Sequence, residues 1–311
     1  MYLKKLSKEK DLRDLQDQEI LFPCKIANLF GRTFKNYQSY VICDNYDNII
    51  TPIVQVPAKS KIYISLPYSW NSFFINPTNG KTMVKNILSH LKPDILRFSF
   101  HELPSKDIIE QFNINKFTVK KSDSSYLDLS NGFDYIFKSS FSVKTRNQCR
   151  KALKSEISFQ ITKNENRIIE YFQIYLRTSK NWNSKYIPYP LDFFLALIKE
   201  NNNVDFWIST YNDKLIAGII TIKYHKRIYY WASMLNRDFS KMCPINGLLY
   251  NAIKFYEKQG FNIFDFGPSP EGKGVTHFKK NFGCKKNIFY DITYKSARYK
   301  YIIEPLNKLR Q

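Results

Sequence analysis

The chain has 311 residues, 43% of them hydrophobic and 16% aromatic, with a formal net charge of +21 at pH 7. That length has room for two ordinary domains with cores of their own, and the apolar share excludes a disordered basic tail. The opening MYLKKLSKEKDLRDLQDQ is charged, and no apolar run is long enough to span a bilayer, so the sequence predicts neither a signal peptide nor a transmembrane segment.

In chain order, alternation and turn residues predict strands near 39–44, 48–56 and 60–66, the last from Ile62, Ile64 and Leu66. A helix near 79–91, a strand at 94–100, a helix from Pro104 to Phe112, and strands near 116–121 and 125–130 follow. A helical stretch comes next, with a helix from about Ser142 to Ser155, a strand ISFQIT, a helix from about Asn164 to Ser179 and another from Pro190 to Asn201. The last third reads as strands 204–211, 214–224 and 227–234, helix 244–259, strand 262–266, helix 272–281 and strand 287–294. Strands that begin as a meander and then alternate with helices predict an α/β (α+β) fold of mixed sheets flanked by helices.

The last third repeats part of the first half. Ser39 to Trp70 and Asp205 to Asn236 both read as strand, Asn-Asp turn, strand, Lys-containing turn, strand. Ile49 stands to Leu215 as Ile62 stands to Ile228, at one offset, and the register drifts by only a residue at Gly80 to Gly247 and again at Ile95 to Ile263. A duplicated α/β unit is expected, with segments 39–130 and 205–294 alike.

The excess of Lys and Arg favours a polyanionic partner: tRNA, a nucleotide-linked or pyrophosphate-linked substrate, or an anionic membrane face. General solubility is the plainer alternative. Five scattered cysteines, Cys24, Cys43, Cys149, Cys243 and Cys284, never form a C-x-x-C pair. They predict reduced thiols in a cytoplasmic protein and argue against a structural zinc.

Three stretches carry a family resemblance: FSVKTRNQCRKALKS (Phe141 to Ser155), PINGLLYNAIKFYEKQGFNIFDFG (Pro244 to Gly267), and the F-K-x-x-F-G element from Phe278 to Gly283. With the repeat, they make the chain resemble the tandem-GNAT group of Fem-type peptidoglycan-bridge peptidyltransferases and BioF2-like (GNAT) acetyltransferases. The resemblance implies tandem duplicated GNAT-like acyltransferase domains, with a degenerate one in residues 1–140 and one carrying the transferase motifs in 141–311.

Arg146, Arg150 and Lys154 fall at i, i+4 and i+8 of the helix from Ser142, with Lys144 beside them and Ser142 placed to cap it. Such a helix end with guanidinium forks suits a substrate phosphate, and a solvated basic face is the alternative. In the F-K-x-x-F-G element, the resemblance implies that Lys279 serves near a reacting ester. A cation there stabilises the negative charge that acyl transfer builds on the carbonyl oxygen. Asp265 is a candidate to orient or deprotonate the incoming amine, or else a turn residue. Phe278, Trp182, Tyr186, Trp231 and Ser233 are candidates for the wall of an acceptor groove, or else core.

Several motifs fail. Asn79-Gly80-Lys81-Thr82 lacks the first glycine of a P-loop, where Ile75 stands. The four histidines show no metal-ligand spacing, so no metal is expected. Arg237 to Met242 has none of the glycines of an acetyl-CoA pyrophosphate loop, and no heptad run interrupts Asn164 to Asn201 as the arm of some Fem enzymes would.

The expected protein is a cytoplasmic acyl or aminoacyl transferase of cell-envelope biogenesis, acting on an amine of a nucleotide-linked or polyprenyl-pyrophosphate-linked sugar or peptide. No permanent cofactor is expected; the donor is acyl-CoA or aminoacyl-tRNA. An acyl-CoA N-acyltransferase of an amino sugar in polysaccharide biosynthesis is one alternative. A non-catalytic nucleic-acid-binding protein is another. Peripheral contact with an anionic membrane, at its inner face, fits the same charge.

Overall fold

Strands that keep apolar side chains on both faces need cover on both faces, and β-branched, aromatic-rich segments such as Val204–Tyr211 and Lys214–Tyr224 are buried almost throughout. The computed structural model describes residues 2–6, 18–43, 49–58, 60–65, 83–100, 110, 112–180, 188–268 and 273–308. In chain order the strands are β1 (Tyr2–Lys5), β2 (Gln38–Cys43), β3 (Ile49–Val56), β4 (Ile62–Ile64), β5 (Ile95–Phe100), β6 (Thr118–Asp128), β7 (Ser158–Ile161), β8 (Val204–Tyr211), β9 (Lys214–Tyr224), β10 (Arg227–Leu235), β11 (Ile263–Pro268) and β12 (Lys285–Lys295). The helices used below are α1 (Gln18–Thr33), α2 (Met83–Leu91), α3 (Val143–Lys154), α4 (Glu165–Ser179), α5 (Leu191–Glu200), α6 (Pro244–Lys258), α7 (Lys273–Asn281) and α8 (Glu304–Lys308).

The chain forms two compact units, one of Met1–Ser122 with Ile288–Gln311 and one of Asp123–Asn287. In the first, the strand order is β1-β2-β3-β4-β5-β12. Neighbours are antiparallel except β4 and β5, which are parallel. In the second, the order β7-β8-β9-β10-β11-β6 repeats the same directions, and its parallel pair is β10 and β11. The repeat read from the sequence is therefore a repeat of strand order and of strand direction.

The sixth strand of each sheet is drawn from the other half of the sequence. Tyr290 to Lys295 of β12 pair with β5, and Ser124 to Asp128 of β6 pair with β11. This explains one departure from the sequence reading. Ser122 to Ser124 read as a turn between two strands, but Ser124 pairs with Pro268 as Ser125 does with Gly267, and the pairing keeps β6 extended throughout.

Each unit has its own core. Phe98, Phe100, Phe112, Phe117 and Ile292 belong to the first; Phe133, Phe141, Trp207, Tyr256, Phe264 and Phe282 belong to the second. In the second unit α4 and α5 pack on β8, β9 and β10, and α6 packs on the same strands; Phe206 meets Tyr171 of α4 while its neighbour Trp207 meets Tyr256 of α6, so both faces are covered and β8 and β9 are buried. Gly247 on α6 is needed for close approach, because a Cβ there would run into the Phe159 ring. Helix α1, absent from the sequence reading, is buried on nearly every side from Leu21 to Phe30, with Phe22, Ile26, Leu29 and Phe30 inside. Gly80 and most of the helix expected from Pro104 lie outside the described residues. Among the described residues, no helix is long and apolar enough to cross a membrane.

Candidate active site

β10 and β11 pair over only three positions, from Arg227 with Ile263 to Tyr229 with Asp265, although both strands continue. Each then takes in an extra residue. Trp231 is bulged out of the β10 register with β9, and Phe266 out of the β11 register with β6. A bulge bends its strand and re-aims its side chains, so two bulges just past the last shared pair mark the place where the strands part. Gly267, with φ of +71°, makes the turn on β11 that an L side chain would resist.

The F-K-x-x-F-G element ends α7. Cys284 N–H donates to the Lys279 carbonyl and Gly283 N–H to the Lys280 carbonyl, closing the helix on a glycine with φ of +77°. A Cβ at Gly283 would lie 2.5 Å from the Ser140 carbonyl oxygen, so this position also needs close approach. Phe282 packs on Phe141 and Phe266, with ring centroids 5.0 and 5.7 Å away, and Phe278 packs on Phe282 at 5.0 Å. The helix is thereby fixed, and Lys279 is directed inward.

Lys279 is only 4% exposed. Its ammonium donates to the carbonyl oxygens of Gly267 at 2.7 Å and Pro268 at 3.0 Å, just past the β11 bulge. A lysine ammonium has three donors, so these two bonds leave one. Burial pulls its pKa down to about 8 from 10.5, partly offset by the nearby Cys284 and Asp265.

Asp265 is also buried, and its two oxygens are divided. One accepts from Arg227 Nη1 at 2.8 Å in a buried ion pair, and the other accepts from the Gly267 N–H at 2.7 Å. Arg227 opens β10 and Asp265 closes the shared stretch of β11. A continuous chain of hydrogen bonds therefore runs from Arg227 through Asp265 and Gly267 to Lys279.

Helix α3 starts as expected, with Ser142 Oγ accepting from the Thr145 N–H. Its cations have different surroundings. Arg146 Nη1 donates to the carbonyls of Lys138 at 2.7 Å and Phe141 at 2.6 Å, tying α3 to the preceding π turn, Ile136–Ser140. Arg150 is exposed, 5.6 Å from the Phe137 ring centroid, and Lys144 is exposed at the helix start.

Trp231 joins an aromatic group with Tyr189, Phe193 and Phe194, at 5.1, 6.1 and 6.0 Å between centroids. Burial raises the pKa of the Tyr230 hydroxyl to about 12, an effect that the neighbouring Ser233 partly offsets. Trp182 and Tyr186 lie outside the described residues. Sequence reasoning missed Arg227, Tyr189 and Tyr230. Arg227 had a signal: an arginine opening a strand otherwise apolar needs a buried acid.

Residues 139–280 match the family described as Acetyltransferase (GNAT) domain. No curated protein matches the sequence. Among solved structures, a crystal structure of FemX is similar with a TM-score of 0.68 at 11% identity, covering 97% of this chain and 100% of that one. L-PGS from Bacillus licheniformis is similar with a TM-score of 0.63 at 11% identity, covering 88% and 87%. A tandem GNAT protein from the clavulanic acid biosynthesis pathway is similar with a TM-score of 0.57 at 8% identity, covering 94% and 97%.

Proposed function

Residues 139–280 are a GNAT-type acetyltransferase domain in a tandem-GNAT fold, and we propose that this acyltransferase domain passes an acyl or aminoacyl group to an amine on a nucleotide-linked or lipid-linked cell-envelope acceptor. The observation that carries the reading is the buried Lys279 ammonium, held by two carbonyls beside the parting of β10 and β11. In the proposed reaction the amine nitrogen attacks the carbonyl carbon of an ester or thioester, and negative charge collects on the carbonyl oxygen. The remaining N–H of Lys279 donates to that oxygen. The C–O or C–S bond then breaks, the departing oxygen or sulfur takes a proton, and the amine loses one. No covalent enzyme intermediate is formed.

Asp265 acts in this scheme by holding the Gly267 turn rather than by taking the amine proton, because both its oxygens are already engaged. Lys144, Arg146 and Arg150 bind a substrate phosphate, Arg150 and Lys144 from the exposed side of α3. Phe278, Trp231 and Ser233 line the acceptor side. The unit of Asp123–Asn287 supplies the chemistry in this scheme, and the unit of Met1–Ser122 with Ile288–Gln311 is its degenerate copy.

Aminoacyl-tRNA is the favoured donor. A 3-10 helix, Arg237–Met242, capped by Asn236, stands where an acyl-CoA enzyme needs a glycine-rich pyrophosphate loop. Incubating the protein with labelled aminoacyl-tRNA or acyl-CoA, each with amino-sugar and peptide acceptors, tests the reading. Transfer from neither donor refutes it, and transfer from acyl-CoA alone moves the donor assignment.

A further inference from the structure

The segment after β12 turns apolar side chains toward water. A π turn, Tyr299–Ile303, runs into α8, where Pro305 lacks the N–H that would close an ordinary helical turn on the Tyr301 carbonyl. Its inner side is fastened. The Tyr299 N–H donates to Ser296 Oγ at 3.0 Å, and Ser296 Oγ donates to Asp94 Oδ1 at 3.2 Å. Lys295 Nζ donates to both oxygens of Glu304 at 2.9 Å and sits 5.7 Å from the Tyr299 ring centroid.

The outer side carries Tyr301, 80% exposed, with Ile302 at 56% and Leu306 at 49%. Arg298 and Lys300 are exposed beside them and form no ion pair among the described residues. An ordered element that shows three large apolar side chains, rimmed by cations, is built for a surface that is apolar within and anionic at its edge. Glu304, the acid of this helix, is neutralised by Lys295, so the face presented outward is positive.

We propose that Tyr301, Ile302 and Leu306, with Arg298 and Lys300, dock the protein on an anionic lipid bilayer. Tyrosine favours the water–lipid boundary, and the stems of Arg and Lys lie along apolar surface while their charged ends reach headgroups. A second copy of a chain with a net charge of +21 would meet repulsion of like sign. Nucleic acid would match the cations but would leave Ile302 and Leu306 without apolar cover. The inference goes beyond the transfer reaction, and its test needs neither donor nor acceptor.

The full chain is floated with vesicles of phosphatidylcholine alone or with phosphatidylglycerol added. Binding is expected to the anionic vesicles and to weaken in salt. The variant Tyr301→Ser/Ile302→Ser/Leu306→Ser should partition at least about tenfold less, with its circular dichroism unchanged. Arg298→Gln/Lys300→Gln should lose most of the preference for phosphatidylglycerol, and Ile302→Trp should bind more tightly. The proposal is overturned if the wild type ignores anionic vesicles, or if the triple variant binds as the wild type does. It is also overturned if the triple variant loses only self-association in sedimentation velocity, since a second copy would then be the occupant.

Discussion

Lys279 donates to the Gly267 carbonyl oxygen across 2.7 Å, joining the F-K-x-x-F-G helix to the bulged end of β11. The bond places a buried cation where two parallel strands stop pairing, and it depends on the turn that Asp265 holds. Lys280, about 100° further around the helix, is exposed. Lys279→Ala should therefore lower turnover by about a hundredfold or more while leaving acceptor affinity nearly unchanged. Lys280→Ala, which changes net charge equally, should lose little turnover. Equal modest losses in both would reduce Lys279 to a part of the general basic charge.

The depressed pKa of Lys279, about 8, gives this a pH dependence. If the ammonium stabilises an oxyanion, turnover should fall as pH rises through about 8. A lysine acting as a base would show the opposite slope. The sign for stability is separate. Folding favours the neutral amine, so the buried charge costs stability below its folded pKa, and the cost is relieved as pH rises from about 8 toward 10.5. Rising stability with falling turnover over that interval, read by denaturant titration and initial rates, is the expected pair of results.

The buried pair of Arg227 and Asp265 should be far more sensitive to losing one member than to losing both. Arg227→Met alone leaves a carboxylate with 1% exposure uncompensated, and should cost about 3–5 kcal/mol. Arg227→Met/Asp265→Leu should recover part of that stability but not the activity, because the Gly267 N–H then loses its acceptor. Urea unfolding of the two variants checks the first statement and transfer rates the second.

Gly283→Ala should destabilise by about 1–3 kcal/mol, since it meets both a positive φ and the Ser140 carbonyl at 2.5 Å. The end of α7 would have to shift, so turnover should fall more than the stability loss alone implies. A variant as stable and as active as the wild type would separate the helix cap from the lysine.

Replacing Arg146 and Arg150 together by alanine should weaken binding of a phosphate-containing substrate by about 1–3 kcal/mol for each charge-assisted hydrogen bond removed. The single variants should differ in kind. Arg146→Ala also removes two bonds to carbonyls of the turn before α3 and should lower stability, whereas Arg150→Ala should act on affinity almost alone. Unchanged affinity in the folded double variant would make the helix a solvated basic face.

Local signals made most of this legible. The apolar runs of β8 to β10 and the Ser142 cap are encoded within a few residues each, and the order of elements followed from them; in β4 the alternation marked the strand but not its buried side chain, which is Tyr63. What stayed hidden depends on residues far apart in sequence. The single long β6 is extended because β11 pairs with it, and the Ser-rich stretch gave no hint of that. Lys279 was found through its motif, but its burial and its carbonyl partners needed the fold. Arg227 and Asp265 lie 38 residues apart, so Asp265 read as a candidate base until its partner was in view. The close approach of Phe159 to Gly247 and of Ser140 to Gly283 likewise belongs to tertiary packing.

Mass spectrometry of the acceptor decides whether Lys279 serves acyl transfer to an amine. The wild type should add one aminoacyl or acyl mass to an amine-bearing, phosphate-linked acceptor when the matching donor is supplied. Lys279→Ala, folded and still binding acceptor, should form that product about a hundredfold more slowly. Product formed at the wild-type rate by Lys279→Ala, or no product from either donor with the wild-type protein, would contradict the account.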